Sequence, residues 1–307
     1  MKTAQQQSKP AVRMIAVDMD GTLLNSSGKV SPRTLSALNA AHAADVEVVI
    51  ATGRRHSFAM QTLRSLDLHP SKAVISSNGA VTRTIAADLL HRTLLPLETA
   101  RQLCQHLLPY RNALVLTFDK VGPDGDDSRG AMAVERLEEL TESIGRWMTA
   151  NERYIARFDP IELALQQDAP VQAMLCGTID RMRSAEDLLR NGALAARIAV
   201  HRTEYPERDL SIVDILPAGC SKGSSLLRLA AQRGVGAEEI MAIGDNWNDV
   251  AMLEVVGRPV VMANAPARLL ETAQNLGWAL AEGHDADGAA VAIEAACLAR
   301  TASEMVG

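Results

Sequence analysis

Five short apolar runs constrain the fold more than any other feature of this sequence. The runs cover residues 12–17, 46–51, 73–76, 240–243 and 260–263. They are rich in Val and Ile, and most are continuous rather than alternating, which favours strands buried on both faces of a parallel sheet. A helix-like segment begins at Ser31, a suitable N-cap, with Pro32 as its first helical residue. Strands that alternate with helices predict an α/β fold with a doubly wound parallel sheet.

The middle of the chain has a different pattern. The stretch D-L-S-I-V-D-I-L at residues 209–216 partly alternates between apolar and polar residues, which suits an antiparallel sheet with one exposed face. Residues 86–215 also hold 15 Lys and Arg against 21 Asp and Glu, so they carry the chain's entire formal net charge of -6. We therefore predict an α+β domain at 86–215, inserted into a core domain formed by 1–85 and 216–307.

Composition excludes several classes of protein. The chain is 47% hydrophobic and can bury a large core, while its net charge of -6 offers no basic surface for a nucleic acid. No apolar stretch approaches the roughly 18 residues of a membrane span. The four cysteines are far apart and match no zinc-binding spacing, so we expect reduced thiols in a cytoplasmic protein. Residues 1–11 lack the apolar segment of a secretory signal and are predicted to form a loose tail.

Polar residues follow several of the predicted strands at the point where each strand ends. Asp18, Thr52, Asn78 and Asp245 have this position, and Lys222 lies near the start of a predicted helix. In an open parallel sheet, functional residues gather at the carboxyl ends of the strands. We therefore expect these side chains to meet at one edge of the sheet.

The residue types at this edge suit a phosphate and a hard cation. Asp18, Asp245 and Asp249, with the backbone carbonyl of Asp20, form an oxygen-only set that favours Mg²⁺ over zinc. A hydroxyl, a lysine and backbone N–H groups suit the phosphate. Asp18 and Asp20 also lie close together, and like charges raise the pKa of one carboxyl group, so that Asp20 can act as an acid.

Four short segments resemble the motifs of a known family, in the family's chain order. They are D-M-D-G-T-L-L at 18–24, A-T-G-R at 51–54, S-K-G at 221–223 and G-D-N-W-N-D at 244–249. They are similar to motifs one to four of the haloacid dehalogenase-like superfamily. N-G-A at 78–80 and V-V-M-A-N-A at 260–265 resemble its Cof-type sugar-phosphatase branch. The resemblance covers about residues 13–292 and implies a Rossmann-like core with an α+β cap between motifs two and three.

The resemblance also implies a mechanism. Asp18 would attack the phosphorus and form an aspartyl-phosphate. Asp20 would protonate the leaving alkoxide and then deprotonate the hydrolytic water. Thr52, Gly53 and Lys222 would bind the phosphoryl oxygens and neutralise the charge that develops in transfer.

The remaining family positions imply metal and substrate contacts. Asp18, the Asp20 carbonyl and Asp245 would hold Mg²⁺, and Asp249 would bind it directly or through water. Asn248 would contact the phosphate or the lysine. Arg54 and Asn78 would face the cap and the substrate.

The predicted function is that of a Mg²⁺-dependent phosphatase acting on a small phosphorylated metabolite. A sugar phosphate is the first expectation, and FMN or pyridoxal phosphate is the second. A phosphomutase of the same fold and a catalytically inactive binding module remain as alternatives. Asp20 argues against a dehalogenase, and the lack of membrane helices and of threonine at residue 20 argues against a P-type ATPase.

Three features have plainer interpretations. Asn78 before Gly79 is also typical of a left-handed turn. The acidic stretch 119–130 does not fit the spacing of a calcium loop and is predicted to be a solvated loop. His56 is predicted to lie on the surface.

Overall fold

A computed structural model of the chain describes residues 11–66, 68–69, 71–122 and 125–304. The predicted loose tail therefore lies, except for Ala11, outside the described residues. The chain divides into two compact units, one formed by Met1–Ala51 with Leu226–Gly307 and the other by Thr52–Ser225. The predicted domain boundaries at 86 and 215 stay a prediction.

The described residues form fourteen strands. They are β1 (Met14–Asp18), β2 (Glu47–Ala51), β3 (Ala73–Ser76), β4 (Val81–Thr84), β5 (Leu89–Arg92), β6 (Leu114–Thr117), β7 (Met132–Val134), β8 (Ile155–Arg157), β9 (Gln172–Gly177), β10 (Ile198–Tyr205), β11 (Leu210–Pro217), β12 (Ile240–Gly244), β13 (Arg258–Met262) and β14 (Ala279–Ala281).

The same described residues form nine α-helices. They are α1 (Pro32–Ala43), α2 (His56–Leu63), α3 (Leu97–His106), α4 (Glu138–Asn151), α5 (Ile179–Asn191), α6 (Lys222–Gln232), α7 (Val250–Leu253), α8 (Ala267–Leu276) and α9 (Gly288–Glu304). Within this part of the chain, no helix combines the length and the apolar character that crossing a membrane requires.

The first unit contains five parallel strands in the order β14, β13, β12, β1, β2. All residues of β1 and β12 are buried, so the continuous apolar runs here form parallel strands covered on both faces, as predicted. The predicted start of α1 is also confirmed, because the Ser31 hydroxyl accepts a hydrogen bond from Thr34 N at 3.0 Å and Pro32 is the first helical residue.

The second unit contains β3, β4 and β5, paired antiparallel, and a six-stranded sheet in the order β10, β11, β9, β6, β7, β8. β11 pairs antiparallel with both β10 and β9, as the alternation at 209–216 predicts. The expectation of an exposed face is wrong, because β11 is buried along nearly its whole length. Its polar residues Ser211 and Asp214 are buried as well.

Each face of the six-stranded sheet is covered by its own apolar layer. On one face Leu116, Leu175 and Val213 pack with residues of α3 and α5, Cys104 among them. On the other face Val115, Leu210 and Cys176 pack with residues of α4. Both cysteines are fully buried. Burial raises the pKa of the Cys104 thiol to about 12 and also raises the pKa of Cys176.

The acidic stretch 119–130 is not the solvated loop predicted from its composition. Asp119 pairs with Arg83 at 2.9 Å and with Arg92 at 3.3 Å. Asp127 pairs with Arg55. The side chains of both aspartates are almost fully buried, so the arginines keep these carboxylates inside the unit.

His56 is buried and not on the surface, which corrects the prediction from sequence. It is the first residue of α2, a helix whose residues are mostly buried, and only 3% of it is exposed. Neither ring nitrogen has a hydrogen-bond partner within the described residues. Burial lowers the pKa of His56 to about 4, with the nearby Arg83 as a second cause.

Candidate active site

Three buried carboxylates meet in the first unit. Asp18 is the last residue of β1, Asp245 directly follows β12, and Asp249 ends a single helical turn after it. Because β1 and β12 are parallel neighbours, their carboxyl ends lie at the same edge. One carboxylate oxygen from each residue lies within 4.8 Å of the others.

The charge of this cluster calls for a cation. Buried carboxylates at such separations repel one another strongly unless protons or a metal ion balance them. The donor set consists of oxygens alone, with no histidine or cysteine, which is the set that Mg²⁺ takes in proteins. The residues present therefore fit the predicted ion.

Two neighbouring side chains hold Asp245 in place. Thr22 Oγ1 donates to Asp245 Oδ1 at 3.2 Å. Asn264 Nδ2 donates to Gly21 O at 2.9 Å and lies 3.3 Å from Asp245 Oδ2, while Asn264 Oδ1 accepts from His284 N at 3.0 Å. Thr22 and Asn264 were not among the predicted site residues, although both lie inside the family-like segments.

Asp249 already supports the loop that carries the cluster. Its Oδ2 accepts hydrogen bonds from Asp245 N and Asn246 N, both at 3.0 Å. Two backbone donors on one oxygen fix the start of the helical turn at Trp247–Asp249. Asp249 therefore stabilises the loop that follows β12.

Gly21 occupies a position where a side chain would collide with Asp245. Its φ is +82°, in the left-handed region, and a Cβ there would lie 2.3 Å from Asp245 Oδ2. The glycine of D-x-D-G therefore lets the backbone pass directly over the cluster.

Asp18 and Asp20 have different environments. Asp18 is 5% exposed, whereas Asp20 is exposed to solvent. Leu23 N donates to Asp18 O at 3.1 Å and Leu24 N donates to Met19 O at 2.8 Å, which closes a tight turn after β1. The turn holds one carboxylate inside the unit and the other at its surface.

The predicted phosphate-binding residues Thr52, Gly53 and Lys222 belong to the second unit. Thr52 is fully buried, its N donates to Ile75 O at 2.8 Å, and its Oγ1 accepts from Arg54 N at 3.1 Å. A hydroxyl oxygen that accepts one bond can still donate its own proton. Thr52 thus combines a fixed backbone with a donor group.

Asn78 lies in a turn of three left-handed residues. Ser77, Asn78 and Gly79 have φ values of 49°, 51° and 108°, which confirms the turn, and the Asn78 side chain is buried. Asn78 N donates to Thr52 O at 3.1 Å. A Cβ at Gly53 would lie 3.1 Å from Asn78 Oδ1, so the Asn78 amide packs directly on the backbone after Thr52.

The same turn packs against the start of α6. A Cβ at Gly79 would lie 2.2 Å from Ser221 O, and Ser225 Oγ donates to Gly79 O at 2.6 Å. Lys222, the first residue of α6, is fully buried. A buried ammonium group at a helix N-terminus is costly unless anions surround it.

Asp214, which was not among the residues predicted from sequence, is hydrogen-bonded to Asn78. Asp214 Oδ2 accepts from Asn78 Nδ2 at 2.9 Å, and Oδ1 accepts from Gln172 Nε2. Burial raises the pKa of Asp214 to about 7, while its two amide donors and the charge of Lys222 act in the opposite direction. Only the fold brings Asp214 to Asn78, which is 136 positions away in the sequence.

Arg54 and Asn248 have less defined surroundings. The Arg54 guanidinium stacks over the Phe58 ring, 5.0 Å from its centroid. Asn248 is half-buried in the helical turn Trp247–Asp249. Their predicted contacts with substrate and phosphate stay predictions.

Comparison with known proteins assigns the family. The haloacid dehalogenase-like hydrolase family matches residues 15–293, and the chain belongs to this family. It is 28% identical to the 5-amino-6-(5-phospho-D-ribitylamino)uracil phosphatase YwtE of Bacillus subtilis, over 85% of this chain and 91% of that protein. It is 29% identical to the HMP-PP phosphatase of an Enterobacter species, over 86% of this chain and 89% of that protein.

A solved structure shows the same fold. It is the structure of a sugar phosphatase of HAD subclass IIB, and it aligns to this chain with a TM-score of 0.70 and 19% sequence identity. The match covers 92% of this chain and 98% of that chain. The predicted fold class, a doubly wound α/β core with an inserted α+β cap, is confirmed, as is the predicted family. The predicted enzyme class, a phosphoric monoester hydrolase, agrees with the names of these relatives.

Proposed function

We propose that the protein is a Mg²⁺-dependent phosphatase that hydrolyses a small phosphorylated metabolite through an aspartyl-phosphate. The observation that carries the proposal is a buried carboxylate cluster. Asp18 and Asp245 lie at the ends of two parallel strands, and Asp249 lies in the helical turn that follows. Relatives whose names specify a phosphoribityl compound and HMP-PP support a small phosphorylated substrate. A sugar phosphate, FMN or pyridoxal phosphate is the substrate class proposed here, in the cytoplasm.

The metal would be held by Asp18, Asp245 and the backbone carbonyl of Asp20, with Asp249 behind them. When bound, Mg²⁺ would neutralise the carboxylates and the charge that develops on the transferring phosphoryl group. Thr22 and Asn264 keep Asp245 oriented through their hydrogen bonds.

The reaction would proceed in two balanced steps. First, a carboxylate oxygen of Asp18 bonds to phosphorus, the ester P–O bond breaks, and the leaving alkoxide takes a proton from Asp20. Next, Asp20 takes a proton from water, the hydroxide oxygen bonds to phosphorus, and the bond to Asp18 breaks to release inorganic phosphate. The surface position of Asp20 suits a group that must reach both the leaving group and water.

The phosphoryl oxygens would be bound by the Thr52 hydroxyl, the Gly53 backbone and Lys222, with Asn248 beside them. This proposal requires these groups and the carboxylates to act on one phosphate. Arg54 and Asn78 would contact the rest of the substrate, and the cap at 86–215 would set its identity.

The test compares two substrates whose leaving groups differ in their need for an acid. An alkyl phosphate needs an acid to expel its alkoxide, and general acid catalysis is worth about 10² to 10⁴ in rate, whereas nitrophenolate leaves without one. Asp20→Asn should therefore slow phosphoenzyme formation from a sugar phosphate far more than from p-nitrophenyl phosphate. With the aryl ester it should give a burst of nitrophenolate, because the intermediate then lacks its base.

Controls make the result specific. Asp18→Asn should abolish turnover and the burst, and Asp180→Asn, at a side chain that is 98% exposed, should leave both unchanged. Equal losses for the two esters without a burst would remove the acid–base role from Asp20. Formation of an isomeric ester in place of inorganic phosphate would identify the alternative, a phosphomutase.

A further inference from the structure

Asp214 is a buried acid that the mechanism above does not use. It lies on β11, only 8% of it is exposed, and both of its oxygens accept hydrogen bonds from side-chain amides. Asn78 supplies one amide and Gln172 supplies the other. Two N–H donors are the partners that an ionised carboxylate needs when it is removed from water.

The partner Asn78 connects two segments that the proposed function requires. Its backbone N binds Thr52 O, and its amide packs on Gly53. The next residue, Gly79, lies against the carbonyl of Ser221 at the start of α6. A side chain that fixes Asn78 therefore fixes the turn against which both phosphate-binding segments pack.

Asp214 is also linked to the start of α6 by geometry, because it binds Asn78 and a Cβ at the next residue, Gly79, would lie 3.0 Å from Lys222 N. Lys222 is fully buried in the same unit, and its charge lowers the pKa of Asp214 against the larger effect of burial. Opposite charges in a medium of low dielectric constant stabilise each other strongly. A negative charge at Asp214 also weakens the attraction of the site for anions, including the phosphate product.

We propose that Asp214 is a positioning residue of the phosphatase site, where it orients the amide of Asn78 and offsets the charge of Lys222. This inference rests on the proposed function. Asp214 acts through these two neighbours and takes no part in bond making. It keeps the phosphate-binding groups aligned and lets the product anion leave.

The conservative variant Asp214→Asn separates charge from geometry. The new oxygen can accept from Asn78 Nδ2, and the new NH₂ group can donate to Gln172 Oε1 once that amide rotates. Gln172 Oε1 has no hydrogen-bond partner within the described residues, so the rotation disrupts no existing bond of this atom. Asp214→Leu removes the charge and both hydrogen bonds.

The two variants should differ in a way that structural damage would not produce. The assays should be run at about pH 8, where a pKa of about 7 leaves Asp214 mostly ionised. For Asp214→Asn we then expect a lower kcat, an unchanged or lower KM, and inhibition by inorganic phosphate at several-fold lower concentration, because the site has lost a negative charge. For Asp214→Leu we expect kcat/KM to fall about 10- to 100-fold, the usual effect of losing a supporting residue behind a site. A misfolded site would raise KM and weaken phosphate inhibition in both.

Two further variants provide controls. Gln172→Met removes the other amide donor but leaves the pair of Asn78 with Asp214, so kcat/KM should fall less than in Asp214→Leu. Asn78→Asp places two carboxylates together in a buried site and should be severely impaired. Adding Asp214→Asn to it restores one amide–carboxylate pair and should recover part of the activity, which a double-mutant cycle quantifies.

The outcomes distinguish this inference from the proposed function. A wild-type protein without phosphatase activity overturns the proposed function, and the inference with it. Normal wild-type activity with unchanged kcat and phosphate inhibition in Asp214→Asn overturns the inference alone. Equal losses in Gln172→Met and Asp214→Leu, or weaker phosphate inhibition in Asp214→Asn, would show a structural role and overturn it too.

Discussion

The buried His56 makes stability depend on pH in a way that can be calculated. Its pKa falls from 6.5 to about 4 in the folded protein, which corresponds to about 3 kcal/mol of unfolding free energy. Because the folded state binds fewer protons than the unfolded state, this contribution is complete above about pH 6.5 and is lost as the pH falls towards 4. His56→Leu removes the titrating group, so the free energy of unfolding of the variant should not show this loss at low pH.

Urea titrations of both proteins at about pH 7.5 and pH 5 would measure the effect. Linkage predicts that the wild type loses about 2 kcal/mol more than the variant over this interval. The titration of Asp214 changes the unfolding free energy in the opposite direction, because a raised pKa stabilises the folded state as the pH falls. Asp214 is present in both proteins, so its contribution cancels from the difference between them. The exposed His42 provides the control variant His42→Gln.

The charged groups around His56 define what would refute this reasoning. Arg83 and Arg64 lower the pKa of His56, whereas Asp119 raises it. If the wild type and His56→Leu lose the same free energy between the two pH values, His56 must be protonated while folded. Burial would then not dominate its pKa, and the charge of Asp119 would have to be the stronger influence.

Three further predictions concern the site. Gly21→Ala should weaken Mg²⁺ binding at least about tenfold by calorimetry, because its Cβ would collide with Asp245. Gly28→Ala is the matched control, because Gly28 has the same sign of φ and open space around it. Gly79→Ala should lower kcat/KM through displacement of the start of α6, with Gly219→Ala as the matched control at a positive φ with nothing nearby; equal effects in both would assign the loss to φ alone. Asp245→Asn should lower Mg²⁺ affinity while leaving the circular dichroism spectrum unchanged, and full activity of the wild type in EDTA would contradict the metal assignment.

The strands of the first unit could be predicted from sequence because their burial is complete. Residues 12–17 and 240–243 are continuous apolar runs, and β1 and β12 fall within two residues of those bounds. β4 and β5 gave no such signal, since V-T-R-T and L-L-H-R mix charged and apolar residues. Their pairing depends on neighbours that composition does not reveal.

The side-chain environments were harder to predict than the strands. Alternation at 209–216 predicted a sheet with one exposed face, but Asp214 on β11 is buried, and Asn78 and Gln172 donate hydrogen bonds to its two oxygens. His56 follows two arginines and has the local sequence of a surface residue, yet α2 begins at His56 and turns it inward. In both cases the deciding contacts come from residues distant in sequence.

The two faces of the six-stranded sheet can be probed separately, because the apolar layer on each face contains a single cysteine. Cys104 belongs to one layer and Cys176 to the other, and thiol reagents attack only the thiolate of an accessible side chain. After Cys220 and Cys297 are replaced by serine, the rate at which each remaining thiol is labelled reports how often its own layer opens. Mass spectrometry of the labelled peptides would then give two opening free energies from one sample, and would show which side of the sheet separates first.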